Sequence, residues 1–360
     1  MRILVDIGHP AHVHYFKNVI RNLEEDGHNV KITARDKDVT LKLLDAYGFD
    51  YEVVGSTASS LTGKAYNVLK SDYTLFRVAK EFKPDIFLSF GSPYAAHISK
   101  LMRRPHIAFS DTEPASLVIW LTFPFTDVIC TPSCYRRRLN NKKHVRFDGY
   151  FELAYLHPKY FKPDASVLDH LGLSKDDEFI ILRLISWDAY HDVNLRGLKK
   201  EIEFIKILKE YGHVFITSER RLTGELDRYR LRIPPEKIHS LLYYARLYVG
   251  EGGTMAAEAA VLGTPSIHVE ATSSGIATGE LSGNFLELRD KYGLLHFYPD
   301  QDQALEKAIS ILEDKNSKRE WRRRRERMLK DKIDVTAWMT DFIERYPESF
   351  YDAKSRSGGA

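Results

Sequence analysis

The segment Gly250-Glu251-Gly252-Gly253-Thr254-Met255-Ala256-Ala257-Glu258 carries the sharpest chemical signal in the chain. Its glycines directly follow an apolar run and lead into a helix of small residues. Backbone N–H groups left open at such a junction, together with the positive end of the helix dipole, make a cradle for an anion such as a pyrophosphate. Gly252, Gly253, Thr254 and Met255 would line it. Glu258, about one turn further on, is placed to hold vicinal ribose hydroxyls. The competing expectation is that the glycines only let strand and helix pack tightly and that Glu258 is solvated.

A second cluster opens the chain, in Gly8-His9-Pro10-Ala11-His12-Val13-His14. Imidazoles at the end of a first strand suit the removal of a proton from a hydroxyl, because their reference pKa lies near neutrality. No cysteine or suitably spaced glutamate joins them to complete a metal site. At least one of the three histidines is expected to serve packing or capping instead. Ser110-Asp111-Thr112-Glu113 follows another apolar run. Asp111 and Glu113 could bind substrate hydroxyls or act as a base, while Ser110 and Asp111 are also good helix N-caps. In the second half, Arg183 interrupts an apolar strand, and Trp187, His191 and Asp192 come soon after. A buried guanidinium requires an anion, supplied either by a ligand phosphate or by an internal salt bridge. Ser218, Glu219 and Arg220 end the following strand, where they are expected at the site's edge. Asp36-Lys37-Asp38 has the carboxylate spacing of some Mg²⁺ sites but reads as an ordinary turn, and Cys130 and Cys134 read as structural thiols.

These residues need a scaffold, and the hydropathy pattern supplies one. Short apolar runs at Arg2–Ile7, Asn29–Ala34, Tyr51–Val54, Ile86–Phe90, His106–Phe109 and Asp127–Cys130 alternate with helix-length segments. The rhythm resumes with Phe179–Leu184, Leu195–Tyr211 as a helix, Val214–Thr217, Leu247–Gly250, Ser266–Val269 and Leu294–Tyr298, with helices over Ala304–Glu313, Lys318–Lys332 and Val335–Tyr346. Such alternation predicts α/β crossover units and parallel sheets, with ligands beyond the carboxyl ends of the strands. The 360 residues predict two domains: 1–160 and 161–335, a helix over 336–350 returning to the first domain, and a flexible tail over 351–360. With 43% hydrophobic and 29% charged residues and a net charge of +3, the chain is not expected to be disordered or built for nucleic acid. Two cysteines and the absence of a signal-like or membrane-length apolar segment point to a reduced cytoplasmic setting. Contact with the inner face of a membrane is open at two places: Trp120, Phe123 and Phe125, and the basic helix 318–327. For each, the alternative is an ordinary core helix or a solvated face.

Gly252–Pro265, with its Leu262-Gly263-Thr264-Pro265 exit, resembles the donor-nucleotide motif of GT-B fold glycosyltransferases. The likeness is greatest to those that add N-acetylglucosamine to a lipid-linked peptidoglycan precursor. It is also similar to the matching segment of the non-hydrolysing UDP-N-acetylglucosamine 2-epimerases. The first loop is similar to that of the transferases, whose Gly-His-Val matches Ala11-His12-Val13. As a whole, the chain resembles a GT-B-like family of archaea and bacteria whose domain has no assigned function. Gly8–Phe16, Ser110–Glu113, Gly149–Pro158, Arg183–Asp192 and Gly250–Pro265 carry that likeness, which spans nearly all of residues 1–345.

The resemblance implies a GT-B fold, two Rossmann-like domains with parallel sheets facing a central cleft. It also implies metal-independent transfer of a sugar from a nucleotide-sugar, most simply a UDP-sugar, to a hydroxyl on a glycan or lipid-linked acceptor. His12 would be the base, Asp111 or Glu113 would position the acceptor, and Gly8, His9 and His14 would lie around it. Glu113 also falls where the epimerases keep a catalytic glutamate. Epimerisation, hydrolysing or not, is therefore the enzymatic alternative, and a non-catalytic sugar-nucleotide-binding subunit is the other. The epimerase pattern is departed from at Gly91-Ser92, where those enzymes have Gly-Asp. It is departed from again over Thr122–Phe125, which has no glutamate pair, and over Trp187–Asp192.

Overall fold

A computed structural model describes residues 1–56, 61–185 and 197–357, with side chains described outside 56–69 and 357. The contacts divide the chain into two units: Met1–Tyr155 with the segment from Ile333 onward, and Leu156–Lys332.

The first unit is a seven-stranded sheet of β1 (Arg2–Ile7), β2 (Asn29–Asp36), β3 (Tyr51–Ser56), β4 (Ile86–Phe90), β5 (His106–Phe109), β6 (Val128–Pro132) and β7 (His144–Phe147). The strand order is β3-β2-β1-β4-β5-β6-β7, and every pairing is parallel. β1 and β4 are near-continuous apolar runs with almost every residue buried, as expected for strands covered on both faces. The order reverses between β1 and β4, so a crevice opens beyond their carboxyl ends, at Gly8 and Gly91. Helices Pro10–Glu25 and Pro93–Met102 start there, each with proline in its first turn and a side-chain cap, from His9 and Ser92 respectively.

The segment from Ile333 belongs to this unit through specific bonds. Thr336 Oγ1 donates to Ala154 O at 2.6 Å, Asn22 Nδ2 donates to Thr340 Oγ1 at 3.2 Å, and Trp338 stacks on Phe147 at 4.6 Å. The expected tail from 351 is instead helical through Ser357, in a helix Glu348–Ser357. It is tied down by Lys354, whose ammonium donates to the carbonyls of Asn141 and His144.

The second unit has five parallel strands, β8 (Phe179–Leu184), β9 (His213–Ser218), β10 (Leu247–Gly250), β11 (Ser266–Val269) and β12 (Leu295–Tyr298), in the order β12-β11-β10-β8-β9. Its reversal lies between β8 and β10. Within the expected Leu195–Tyr211, the described helix is Glu201–Leu208, followed by a 3₁₀ turn Lys209–Tyr211.

The basic helix Ser317–Asp331 is not a free cationic face. Arg322 and Lys318 donate to the carbonyls of Tyr243 and Tyr244, Arg325 to Val261 O, and Arg324 to Gly293 O. The first three of these acceptors lie at the carboxyl ends of helices Ile238–Tyr244 and Gly253–Leu262. Cations there satisfy orphaned carbonyls and the negative end of the dipole. The helix therefore fastens the second unit, where the sequence left open a membrane contact or a solvated face.

Candidate functional site

In the second unit the glycine motif falls at the switch point. Gly250 ends β10 so close to β8 that a Cβ would stand 2.4 Å from Arg183 O and 2.5 Å from its N. Gly252, at φ +80°, is the N-cap of helix Gly253–Leu262. It offers no side chain to the first-turn amides, and the first turn contains no acid. The positive helix end thus meets the crevice without a neutralising group of its own, while Thr254 is exposed at its tip.

Glu251 turns the other way. It is buried, with Oε2 accepting from Ile185 N at 2.9 Å and Oε1 from Leu198 N at 2.8 Å. Burial pushes its carboxyl up from 4.5 to about 7, although both amides oppose the shift. Between those values the folded state holds a proton that the unfolded chain has lost, so this group's contribution to stability falls as pH rises from about 4.5 to 7. Glu251→Gln removes the titration. In urea melts, the stability of the variant relative to wild type should therefore shift in the variant's favour between pH 5 and pH 8, by at most about 3 kcal/mol. A difference constant with pH would contradict this.

Arg183 does find an anion, but the protein provides it. Its guanidinium pairs with Glu219 and donates to Thr217 Oγ1 at 2.7 Å, and Thr217 Oγ1 in turn faces Met255 Sδ at 4.0 Å. The internal salt bridge, one of the two partners expected for it, is thus present. The Arg183 side chain keeps 18% of its surface exposed beside the glycine turn. Ser218 Oγ donates to Arg220 O at 2.9 Å, and Arg220 pairs with Glu201 at 2.5 Å, which directs both toward local structure. Trp187 and His191, with Asp192, lie outside the described residues. Glu258 is 4% exposed, and its Oε1 accepts from His239 Nε2 at 2.9 Å. It sits under the turn, not solvated at its mouth. Neither His239 nor Thr217 was expected. Both stand on other elements, and only the fold brings them to the motif.

In the first unit the three histidines separate. His9 caps its helix by accepting from Ala11 N at 3.2 Å. His14 is buried, stacked on Tyr155 at 5.2 Å and bonded to Tyr47 Oη at 3.2 Å, so it is core and not a ligand contact. His12 faces the crevice among His9, Tyr15 and Phe90. Burial holds its pKa well below the usual value, with His9, Arg35 and Lys37 adding to the effect. Gly8 N donates to its Nδ1 at 3.3 Å, so the neutral ring carries its proton on Nε2 and offers a donor there. Beneath it, Asp6 is fully buried and accepts from Thr33 Oγ1 at 2.9 Å, Arg35 at 2.7 Å and Ser92 Oγ at 2.5 Å. This network fixes the ends of β1, β2 and β4.

Asp111 stands just past β5, on the same sheet edge. Enclosure raises its carboxyl from 3.8 to about 7, with Glu113 adding and a Thr112 hydrogen bond opposing. Glu113 is buried, and its Oε1 accepts from Arg136 N at 3.2 Å. It therefore anchors the turn after β6. No group of three or more His, Cys, Asp or Glu residues placed to hold a metal occurs among the described residues. No described helix is long and apolar enough to cross a membrane.

Two parallel Rossmann-like units, each with a glycine turn at its switch point, define a GT-B-like α/β protein. Solved structures share that fold. The chain superposes on a UDP-N-acetylglucosamine 2-epimerase, so titled as putative, from Listeria monocytogenes with TM-score 0.67 and 12% identity, covering 98% of this chain and 96% of that one. A UDP-GlcNAc 2-epimerase from Methanocaldococcus jannaschii gives 0.62 and 14%, covering 89% and 98%. The spinosyn rhamnosyltransferase SpnG gives 0.60 and 13%, covering 94% and 99%. The chain itself belongs to the DUF354 family, described as a protein of unknown function, whose model matches residues 1–337. A relative in Methanocaldococcus jannaschii, named only as uncharacterized, is 25% identical over 274 residues, 74% of this chain and 80% of its own.

Proposed function

We propose that this protein is a metal-independent sugar transferase that takes a nucleotide-sugar, with UDP as the expected nucleotide, and passes the sugar to a hydroxyl acceptor. One observation carries it: the uncapped, acid-free amino end of helix Gly253–Leu262 at the β8/β10 switch point. Here the amides of Gly253, Thr254 and Met255 receive the diphosphate and stabilise the charge that grows on it as the sugar leaves. Arg183 adds its exposed edge, and Glu258, held by His239 beneath the turn, is the residue assigned to the ribose. On the first unit, His12 donates from Nε2 to orient the acceptor. Asp111, with a carboxyl titrating near neutrality, takes the acceptor's proton, a role for which a base of that pKa is best matched. The base is thereby moved from His12 to Asp111.

The epimerase alternative has less support. Ser92, at the position of the epimerases' carboxylate, is a helix cap bonded to Asp6. Epimerisation would show as turnover of the nucleotide-sugar without acceptor.

The test is thermal melting with UDP-, GDP-, dTDP- and CMP-sugars and their free nucleotides, since a ligand of the native state raises Tm. Thr254→Asp places an anion on the exposed first turn, which favours the helix by about 0.3–1 kcal/mol while repelling a diphosphate. The variant should melt at or above wild type and lose the nucleotide shift. An undiminished shift would remove the glycine turn from the site.

A further inference from the structure

The helix Ser116–Thr122 contains no charged residue. A helix on the flank of an α/β unit ordinarily turns one apolar stripe inward and shows polar side chains to water. Here the inward stripe is already filled, because Ile119 and Phe123 pack with Ile129 and Leu139. This places Phe123 inside, in line with the core-helix alternative for this segment. The outward positions are apolar as well: Trp120 is 71% exposed, and Leu117, Val118 and Phe125 are exposed beside it. Phe125 meets His97 edge-on at 4.9 Å. One turn along from His97 on the same helix face, Leu101 is 66% exposed. A contiguous apolar surface of this kind marks a place of interaction.

The second observation is charge. The segment Arg136–Arg146 carries six cations and no carboxylate, and its Arg137, Arg138 and Lys143 border this helix. A groove of about 460 Å³ separates the two, with Trp120 and Pro124 on one wall and Arg137, Arg138 and Lys143 on the other. For Arg137, Lys143 and Arg146 the bonding acceptors are neutral and leave the charge in place. Arg137 donates to Glu113 O and Ser116 Oγ, Lys143 to Pro124 O and Thr126 O, and Arg146 to Ser133 O. Arg136, Arg138, Lys142 and Arg146 are exposed. An indole at the tip of a protruding apolar helix, rimmed by uncompensated cations, matches the two layers of an anionic bilayer surface. The ring and aliphatic groups enter at headgroup depth, and the cations meet lipid phosphates. No shape-matched partner is needed for either.

We propose that Leu101, Leu117, Trp120 and Phe125, with Arg137, Arg138, Lys142 and Lys143, form a docking face for an anionic membrane surface. This is independent of the donor chemistry above, and its test contains no nucleotide. The full chain is sedimented with vesicles of phosphatidylcholine alone or with about 30% phosphatidylglycerol. Binding to the anionic vesicles only is expected, weakening steeply with added salt. Arg138→Glu with Lys142→Glu, and separately Leu117→Ser with Trp120→Ser, should each lower the partition constant about tenfold or more. All four side chains are exposed or rim the groove, so the melting temperature should not move. As a second measurement, brominated lipid should quench the fluorescence of wild type more than that of Trp120→Phe. Absence of binding, equal binding to neutral vesicles, or variants that bind like wild type would overturn the proposal. So would self-association that Trp120→Ser abolishes, which would make this face a contact between copies.

Discussion

Asp111→Asn is expected to lower sugar transfer by about 10²- to 10⁴-fold, the usual contribution of a positioned base, while leaving the nucleotide-induced rise in Tm intact. The carboxyl is held near 7 by enclosure at the end of β5. A base must be ionised to act, so wild-type kcat should climb with pH through about 7 and level off above it. The variant should lose that acidic limb along with its rate. Asparagine has nearly the same shape and keeps a hydrogen-bonding side chain, so packing is little disturbed. His12→Gln provides the contrast. It keeps a donor in place of Nε2–H, so it should cost far less and leave the limb unmoved. If the limb survives in Asp111→Asn and vanishes in His12→Gln, the base is His12 after all. Measured pH profiles of the two variants decide between them.

Gly250→Ala is expected to destabilise the second unit by about 3 kcal/mol, the upper part of the range for overpacking a tight site. A methyl group there would collide with the backbone of Arg183, not with a side chain that could swing away. Relief requires β10 to move off β8, which opens the switch point and displaces the Gly252 turn. Urea melts should show the loss, and nucleotide binding should weaken with it. Gly253→Ala is the control, because its Cβ would meet only Phe285, at 3.4 Å. A Gly250→Ala protein as stable as wild type would show that the approach of these strands is looser than described.

The alternation of apolar runs made the α/β class legible, because parallel strands buried on both faces leave long hydrophobic signatures. β7 escaped notice since its His-Val-Arg-Phe has one outward cation and too few residues to stand out. The stretch from 351 reads as polar tail until its contacts with β7 are known. The glycine turn was legible for a different reason: positive φ and strand contact constrain residue type at single positions. What spacing along the chain could not reveal was which side chains meet across elements. Arg183 with Glu219, Glu258 with His239, and His14 with Tyr47 are pairings made only by the fold. They give partners within the protein to three of the polar residues that had looked available for a ligand.

The second unit is a continuous stretch of chain, whereas the first is closed only by the segment from Ile333 onward. During synthesis, the ribosome releases every residue of the second unit before the last pieces of the first. The amino-terminal sheet must therefore wait, with the surface that Trp338 and Thr336 will cover still open to water. The half that begins first is thus the last to have all its residues made.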